Sequence, residues 1–296
     1  MAPAWTRPLI FGGATGLLGQ SLTRALRATG AEPIPLSSRD CDLLDQDQVR
    51  RLLDRTRPDL IFTAAAYTKV DLAEAEPQRA MALNAEAPPQ LAAAAAERSL
   101  PFVHFSTDFV FAGDKTTPYA VEDPTGPLSV YGRSKALGEA NLLRLGLPHT
   151  LIVRTSWLFG PGRSNFVEKI LTLCRERERL RVVADQTGSP SYAPDVAANT
   201  LLLLQRGAVG VYHLANAGQT TWHGLAQAAV DLAGLPCVVE PIPSSAYPTA
   251  AARPAYSVLD LRRFTQTTKT TPRPWPEALR DYVLRDLPRE LRGNGR

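Results

Sequence analysis

Through the first half of the chain, short apolar runs alternate with longer stretches whose apolar positions recur at helical spacing. RPLIFGG (7–13), EPIPLSS (32–38), DLIFTAAA (59–66), PFVHFSTDFVF (101–111) and HTLIVRTSWLFG (149–160) read as strands. LLGQSLTRALRATG (17–30), DQDQVRRLLDRTRP (45–58), the segment from Pro77 to Ser99 and YGRSKALGEANLLRLG (131–146) read as helices, the first ending at Gly30. Strand and helix in strict alternation predict an α/β fold, a doubly wound parallel sheet of Rossmann type with helices on both faces. Ligands in such sheets bind beyond the carboxyl ends of the strands.

After residue 160 the rhythm weakens. RVVADQTGSPSYAPDVAANTLLLL predicts a strand, a Gly/Pro loop and a helix with Asp195 near its start. GVYHLANAGQTTWHGLAQAAVDLAG repeats that plan, with Thr220 or Thr221 as the helix cap. From PCVVEPIPSS onward the chain is Pro-rich and reads as irregular, and RELRGNGR (289–296) reads as frayed. The expected division is a dinucleotide-binding domain over 1–160 and a smaller, mainly substrate-binding part over 161–296. Segments at about 181–215 are expected to return to the sheet.

The glycines sharpen this picture. GGATGLLG follows the first strand and opens the first helix, with Gly13, Gly16 and Gly19 in G-x-x-G-x-x-G spacing. Glycine lets the backbone turn sharply and lets a pyrophosphate reach the amides, while the helix N-terminus offers free N–H groups. Thr15, Leu17 and Leu18 ride on the same turn. The second strand ends at Ser37, Ser38 and Arg39, without the acidic residue that would grip a ribose 2′-hydroxyl. Ser38 and Arg39 instead suit the 2′-phosphate of NADPH. Asp42, with Leu43 beside it, is placed to meet the adenine. The small residues Ala64, Ala65 and Ala66 end the third strand, where a dinucleotide would lie flat. The expected cofactor is NADPH, with NADH as a second one it could accept.

YGRSK carries the candidate chemistry. Tyr131 and Lys135 share a helix face in a chain with only five lysines, which marks the pair out from a surface studded with ammonium groups. An adjacent ammonium favours phenolate, so the expectation is a phenol made more acidic by Lys135. Tyr131 would then give a proton to a carbonyl oxygen as hydride reaches its carbon. Thr107, at the end of the fourth strand, would bond the same oxygen.

Composition narrows the partners. No apolar run approaches the roughly 20 residues of a membrane span, and no secretory signal precedes the first strand, so the cytoplasm is the expected location. Cys41, Cys174 and Cys237 are odd in number and scattered, and the four histidines lack ligand spacing, so neither disulfides nor a metal is expected. The net charge of +4 is spread along the chain rather than striped, which argues against nucleic acid and suits a small anionic ligand.

GGATGLLG, AAYTKVDLAEAEP, LN at 83–84, STDFVF, YGRSK, RTSWLFG, NF at 165–166, DQTGSP and RPAYSVLD occur in order from residue 12 to about 260. Together they resemble the dTDP-4-dehydrorhamnose reductase family of the extended short-chain dehydrogenase/reductase superfamily. The resemblance implies NADPH-dependent reduction of the 4-keto group of dTDP-6-deoxy-L-lyxo-4-hexulose to dTDP-L-rhamnose. It gives Lys135 a second role, binding the nicotinamide ribose. It places Asp108, Phe109, Trp157 and the DQTGSP loop near the sugar or nucleotide, Asn165 and Phe166 in the nucleotide pocket, and Gln186 and Arg253 at the diphosphate. Phe109 stands where the family often has Tyr. Ser21 stands where some members carry a Glu that helps bind a metal at a dimer interface, so monomer and homodimer are both open. Three alternatives stay open: another nucleotide-sugar enzyme on this fold, a reductase of another keto-deoxysugar nucleotide, and a non-catalytic dinucleotide-binding regulatory subunit. Phe109 following Asp108 removes the acidic pair a dehydratase would use.

Overall fold

The computed structural model describes residues 4–292. Six strands, β1 (Pro8–Phe11), β2 (Ile34–Leu36), β3 (Leu60–Thr63), β4 (Phe102–Thr107), β5 (Thr150–Thr155) and β6 (Gly210–His213), form one sheet in the order β6-β5-β4-β3-β1-β2. Every pairing in it is parallel. Side chains alternate between the two faces, and both faces are covered, which is why the strands are continuously apolar. Ile10, Phe62, Val103 and Val153 pack on one side; Leu9, Ile61, Phe102 and Ile152 pack on the other.

The covering helices are α1 (Leu17–Ala28), α2 (Gln46–Thr56), α3 (Ala87–Ala96), α4 (Val130–Arg144) and α6 (Ala193–Gln205), with α5 (Phe166–Glu176) and α7 (Trp222–Ala233) in the C-terminal part. After β2 the chain recrosses β1 and lays down β3 on its far side. That reversal opens a crevice at the carboxyl ends of β1 and β3.

Several element boundaries differ from the sequence expectation. The segment 77–99 is not one helix: Pro77–Met81 is α-helical, Ala82–Glu86 is a π-helix and α3 follows. The fourth strand stops at Thr107, and Asp108–Val110 is a short 3-10 turn. The fifth strand stops at Thr155; Trp157 adopts a φ of +45°, and Leu158–Phe159 pairs instead with Ser191–Tyr192. Arg179–Val183 does not join the main sheet. It pairs in parallel with Val238–Ile242, within the stretch expected to be irregular, whereas α6 and β6 do return to the sheet. Thr221, not Thr220, caps α7 through the Gly224 amide. Of the tail expected to fray, Arg289–Leu291 forms a 3-10 turn, and 293–296 lie outside the described residues.

A second core fills the C-terminal part, where Val167 and Leu171 of α5 meet Leu225 and Ala229 of α7 and Leu279 and Tyr282. Cys174 and Cys237 belong to this core and are free thiols. Among the described residues, no helix is long and apolar enough to cross a membrane.

One buried ion pair locks α4 to the sheet. Arg154 of β5 donates to Glu139 of α4 at 3.0 Å through Nε and 2.6 Å through Nη2, and the two side chains are only 5% and 3% exposed. Removing one partner strands the other charge in the core. Glu139→Gln is expected to lower the unfolding free energy by about 3–5 kcal/mol. Urea denaturation measures it, and a loss below about 1 kcal/mol would mean that the pair behaves like a surface bridge.

Candidate active site

The crevice is a cleft of about 620 Å³ at the carboxyl ends of the strands. Its floor is the turn after β1. Gly12 holds a φ of +81°, and a Cβ on Gly19 would lie 2.2 Å from the Gly12 carbonyl oxygen, so α1 presses directly on the turn. Gly13 is packed rather than exposed to the cleft: a Cβ there would meet Ile10 and Pro35 at 2.9 Å. Gly12, missed in the sequence reading, lines the cleft with Thr15, Gly16, Leu17 and Leu18, while Gly13 and Gly19 shape it from behind. The doublet GG was the available signal.

Gly16 is the N-cap of α1; among the described residues no side chain caps it, and the first turn carries no acid. The N-terminal amides therefore remain available to an anion. Ser38, Asp42, Leu43 and Ala64–Ala66 line the same cleft. Arg39 is exposed beside them. The nearest acid after β2, Asp40, is turned back on Ser37, accepting from its amide and hydroxyl at 2.7 Å each. Those two bonds hold its carboxyl below the ordinary range.

At the other end of the cleft stand Tyr131 and Lys135. Ser129 caps α4 by accepting from the Gly132 amide at 3.1 Å. Gly132 allows the close approach, since a Cβ there would lie 2.3 Å from the Phe109 carbonyl oxygen. The π-helix adds a brace from the far side. Asn84 exchanges hydrogen bonds with the Tyr67 backbone at 2.9 and 3.0 Å and donates to Ser134 Oγ at 2.9 Å. That fixes the residue before Lys135 to the loop after β3. The propensity pattern of 77–99 carries no hint of a π-helix; such bulges gather at functional sites.

The electrostatics correct the expected tuning of Tyr131. Burial pushes its phenol up to about 12; the Thr107 hydroxyl beside it pulls the other way, and the Asp108 charge adds to the rise. Burial, not the ammonium, sets the direction. Lys135 is itself depressed to about 8 by burial, against the upward pull of Glu139. Its Nζ donates to the Phe105 carbonyl at 2.6 Å and meets His104 Nε2 at 3.0 Å. Thr107 also departs from expectation. Its hydroxyl donates to Asp108 Oδ1 at 3.0 Å while its oxygen accepts from the Phe109 amide at 3.2 Å. With Asp108 ionised, the Thr107 proton is taken. Burial raises Asp108 to about 6, held there by bonds from Ser257 and Thr107.

The residues expected at the substrate divide. Asn165 borders the cleft, but its side chain is committed: it caps α5 and donates to the Gly160 carbonyl and to Tyr282 Oη. Asp108 is 1% exposed, with its second oxygen accepting from Ser257 at 2.6 Å. Phe109 stands edge-on to Tyr131, ring centroids 5.7 Å apart. Trp157 is half-buried, stacked on Trp222 at 3.6 Å, and Phe166 packs against that same Trp222. Gln186 is half-buried and does not border the cleft. Arg253 is engaged with Asp71 through two bonds of 3.0 and 2.7 Å rather than free for a diphosphate. Arg163 and Lys169 border the cleft as exposed cations that the sequence reading passed over. Among the described residues no group of three or more His, Cys, Asp or Glu is placed to hold a metal ion.

A dinucleotide fits these features on structural grounds. The glycine turn leaves no room for side chains where a pyrophosphate would approach, and the α1 amides are uncapped. Deeper in the cleft, Ser106 Oγ and Thr155 Oγ1 are buried hydroxyls without a hydrogen-bond partner among the described residues. Buried polar groups rarely go unpaired without a ligand or water to meet them.

Comparison with known proteins agrees. Residues 7–287 match the family model of the RmlD substrate binding domain. The chain is 42% identical to a dTDP-4-dehydrorhamnose reductase of Burkholderia thailandensis over 83% of this chain and 88% of that protein. It is 39% identical to the spore coat polysaccharide biosynthesis protein SpsK of Bacillus subtilis, over 92% and 95%. In structure it is similar to the dTDP-4-dehydrorhamnose reductase of Bacillus anthracis solved in complex with NADP, with a TM-score of 0.91 and 33% identity over 94% of this chain and 99% of that one. The family match and these likenesses extend over nearly the full length of the chain, and the protein belongs to the dTDP-4-dehydrorhamnose reductase family.

Proposed function

We propose that this chain is an NADPH-dependent reductase that converts the 4-keto group of dTDP-6-deoxy-L-lyxo-4-hexulose to the alcohol of dTDP-L-rhamnose. The observation that carries the reading is one cleft bounded by the uncapped glycine turn at one end and by Tyr131 and Lys135 at the other. NADPH, when bound, supplies the hydride. The α1 amides and the turn around Gly12 and Gly16 would hold its pyrophosphate, with Ser38 and Arg39 at the 2′-phosphate. Asp42 and Leu43 would border the adenine, and Ala64–Ala66 would let the dinucleotide lie flat.

Tyr131 acts as the acid. A phenol near 12 keeps its proton at neutral pH and gives it up only to an oxygen that is becoming an alkoxide. Lys135 presents a cation at the same end of the cleft, where low dielectric strengthens its stabilisation of developing negative charge. Phe109, apolar where it meets Tyr131, keeps water from competing for that proton.

A second reading has its own support. Phe109 alters the wall beside Tyr131, and one relative, 38% identical, is a dTDP-4-keto-6-deoxy-D-glucose reductase of Streptomyces niveus. Assay of NADPH oxidation against a panel of keto-deoxysugar nucleotides separates the two; turnover only with a different keto sugar would replace the first substrate.

Tyr131→Phe and Lys135→Met are each expected to lower kcat by about 10²-fold or more. Near wild-type turnover in either would remove its assigned role. Lys135 is cationic below about 8, so kcat/KM is expected to fall as pH rises through that value. Tyr131, still protonated there, adds no arm of its own, and a flat profile to roughly two units above that value would refute the need for the ammonium. Arg39→Ala is expected to weaken NADPH by about tenfold more than NADH, the scale of one exposed charge-assisted bond. Equal weakening of both, measured by fluorescence titration, would count against the phosphate contact.

A further inference from the structure

His104 is not part of the proposed chemistry, yet it is buried beside Lys135 with one ring nitrogen unpaired among the described residues. It lies on β4 between Thr63 of β3 and Ile152 of β5 and is fully buried. Burial, with the Lys135 charge second, drives its basicity well below the ordinary histidine range, so the ring is neutral. An ammonium can only donate, so at the 3.0 Å contact Nε2 must be the acceptor and the ring proton sits on Nδ1. Nδ1 has no hydrogen-bond partner among the described residues. A buried unpaired N–H is destabilising. Leu or Phe would fill the same space without that penalty. The ring's single hydrogen bond among the described residues goes to Lys135, and that contact accounts for a histidine here.

We propose that His104 is a positioning residue: with the Phe105 carbonyl it engages two of the three N–H bonds of Lys135 and leaves the third facing the cleft. Without the ring, the four-carbon stem of Lys135 can swing and its ammonium can turn from the reacting oxygen. The inference rests on the function proposed above, since it needs Lys135 to act in the reaction. It also explains why Lys135, a cleft residue, is only 1% exposed.

The test reads stability and turnover together. In His104→Leu and His104→Phe the unpaired N–H is gone, but the buried ammonium also loses an acceptor, and the two effects oppose each other. Thermal melting of the free protein is therefore expected within a few degrees of the wild-type temperature, while kcat falls by about tenfold or more. His104→Gln, whose Oε1 can accept from Lys135, is expected to recover most of that loss. In a Lys135→Met background, His104→Leu should have no further effect on kcat. Turnover of the Leu and Phe variants within about twofold of wild type overturns the proposal. So does a fall of melting temperature and kcat together in all three variants, and so does failure of both apolar variants to fold. Tyr131→Phe separates the two levels: if it is inactive while His104→Leu is fully active, the positioning role fails and the reductase reading stands.

Discussion

The structure is organised around the burial of one ammonium. Lys135 is 1% exposed at the inner end of the cleft. Taking such a cation out of water costs several kcal/mol even after relaxation. The fold offsets this with a carbonyl, an imidazole nitrogen and a carboxylate: Phe105 and His104 from β4, Glu139 from the next turn of α4. Glu139 is held in turn by Arg154 of β5. Two central strands and the helix bearing Tyr131 are thereby tied through polar contacts at the middle of the sheet, where apolar packing alone would permit sliding.

The same desolvation acts on Tyr131 in the opposite sense. It raises the phenol to about 12 and lowers the ammonium to about 8, pushing both toward their neutral forms. A ground-state phenolate is therefore not what the site stores. It holds a protonated phenol and a cation in a poorly screened place, as the proton transfer proposed above would require. The sequence spacing suggested an acid already strengthened at rest. Spacing reports which groups are near each other but not how much water surrounds them, and here water decides the sign.

Legibility in the sequence follows the range of the interactions. The alternation of apolar runs and helical spacing announced the parallel sheet, and the glycines announced the turn after β1, because both are local. The π-helix at Ala82–Glu86 was not legible, since Asn84 departs from α-helical bonding to reach Tyr67 and Ser134, one of them 50 residues away. The pairing of Arg179–Val183 with Val238–Ile242 was missed for the same reason: no short-range pattern tells a strand which edge it will join. Spacing cannot separate a glycine that faces a ligand from one that, like Gly13, faces a neighbouring strand.

The side where the sequence expects the substrate was the least legible part, and its geometry shows why. Ser257 donates to Asp108 from 149 residues away, and Arg253 to Asp71 from 182. Trp157 takes a left-handed backbone to stack on Trp222, over a Gly188 whose Cβ would sit 2.5 Å from the Trp157 ring. Each contact joins the C-terminal part to a segment that follows a strand of the sheet. The cofactor end of the cleft is built by the loops that follow β1, β2 and β3, all in the first quarter of the chain. The opposite wall exists only once distant segments have met, so substitutions at Ser257 or Gly188 disturb Asp108 or Trp157 without touching the glycine turn.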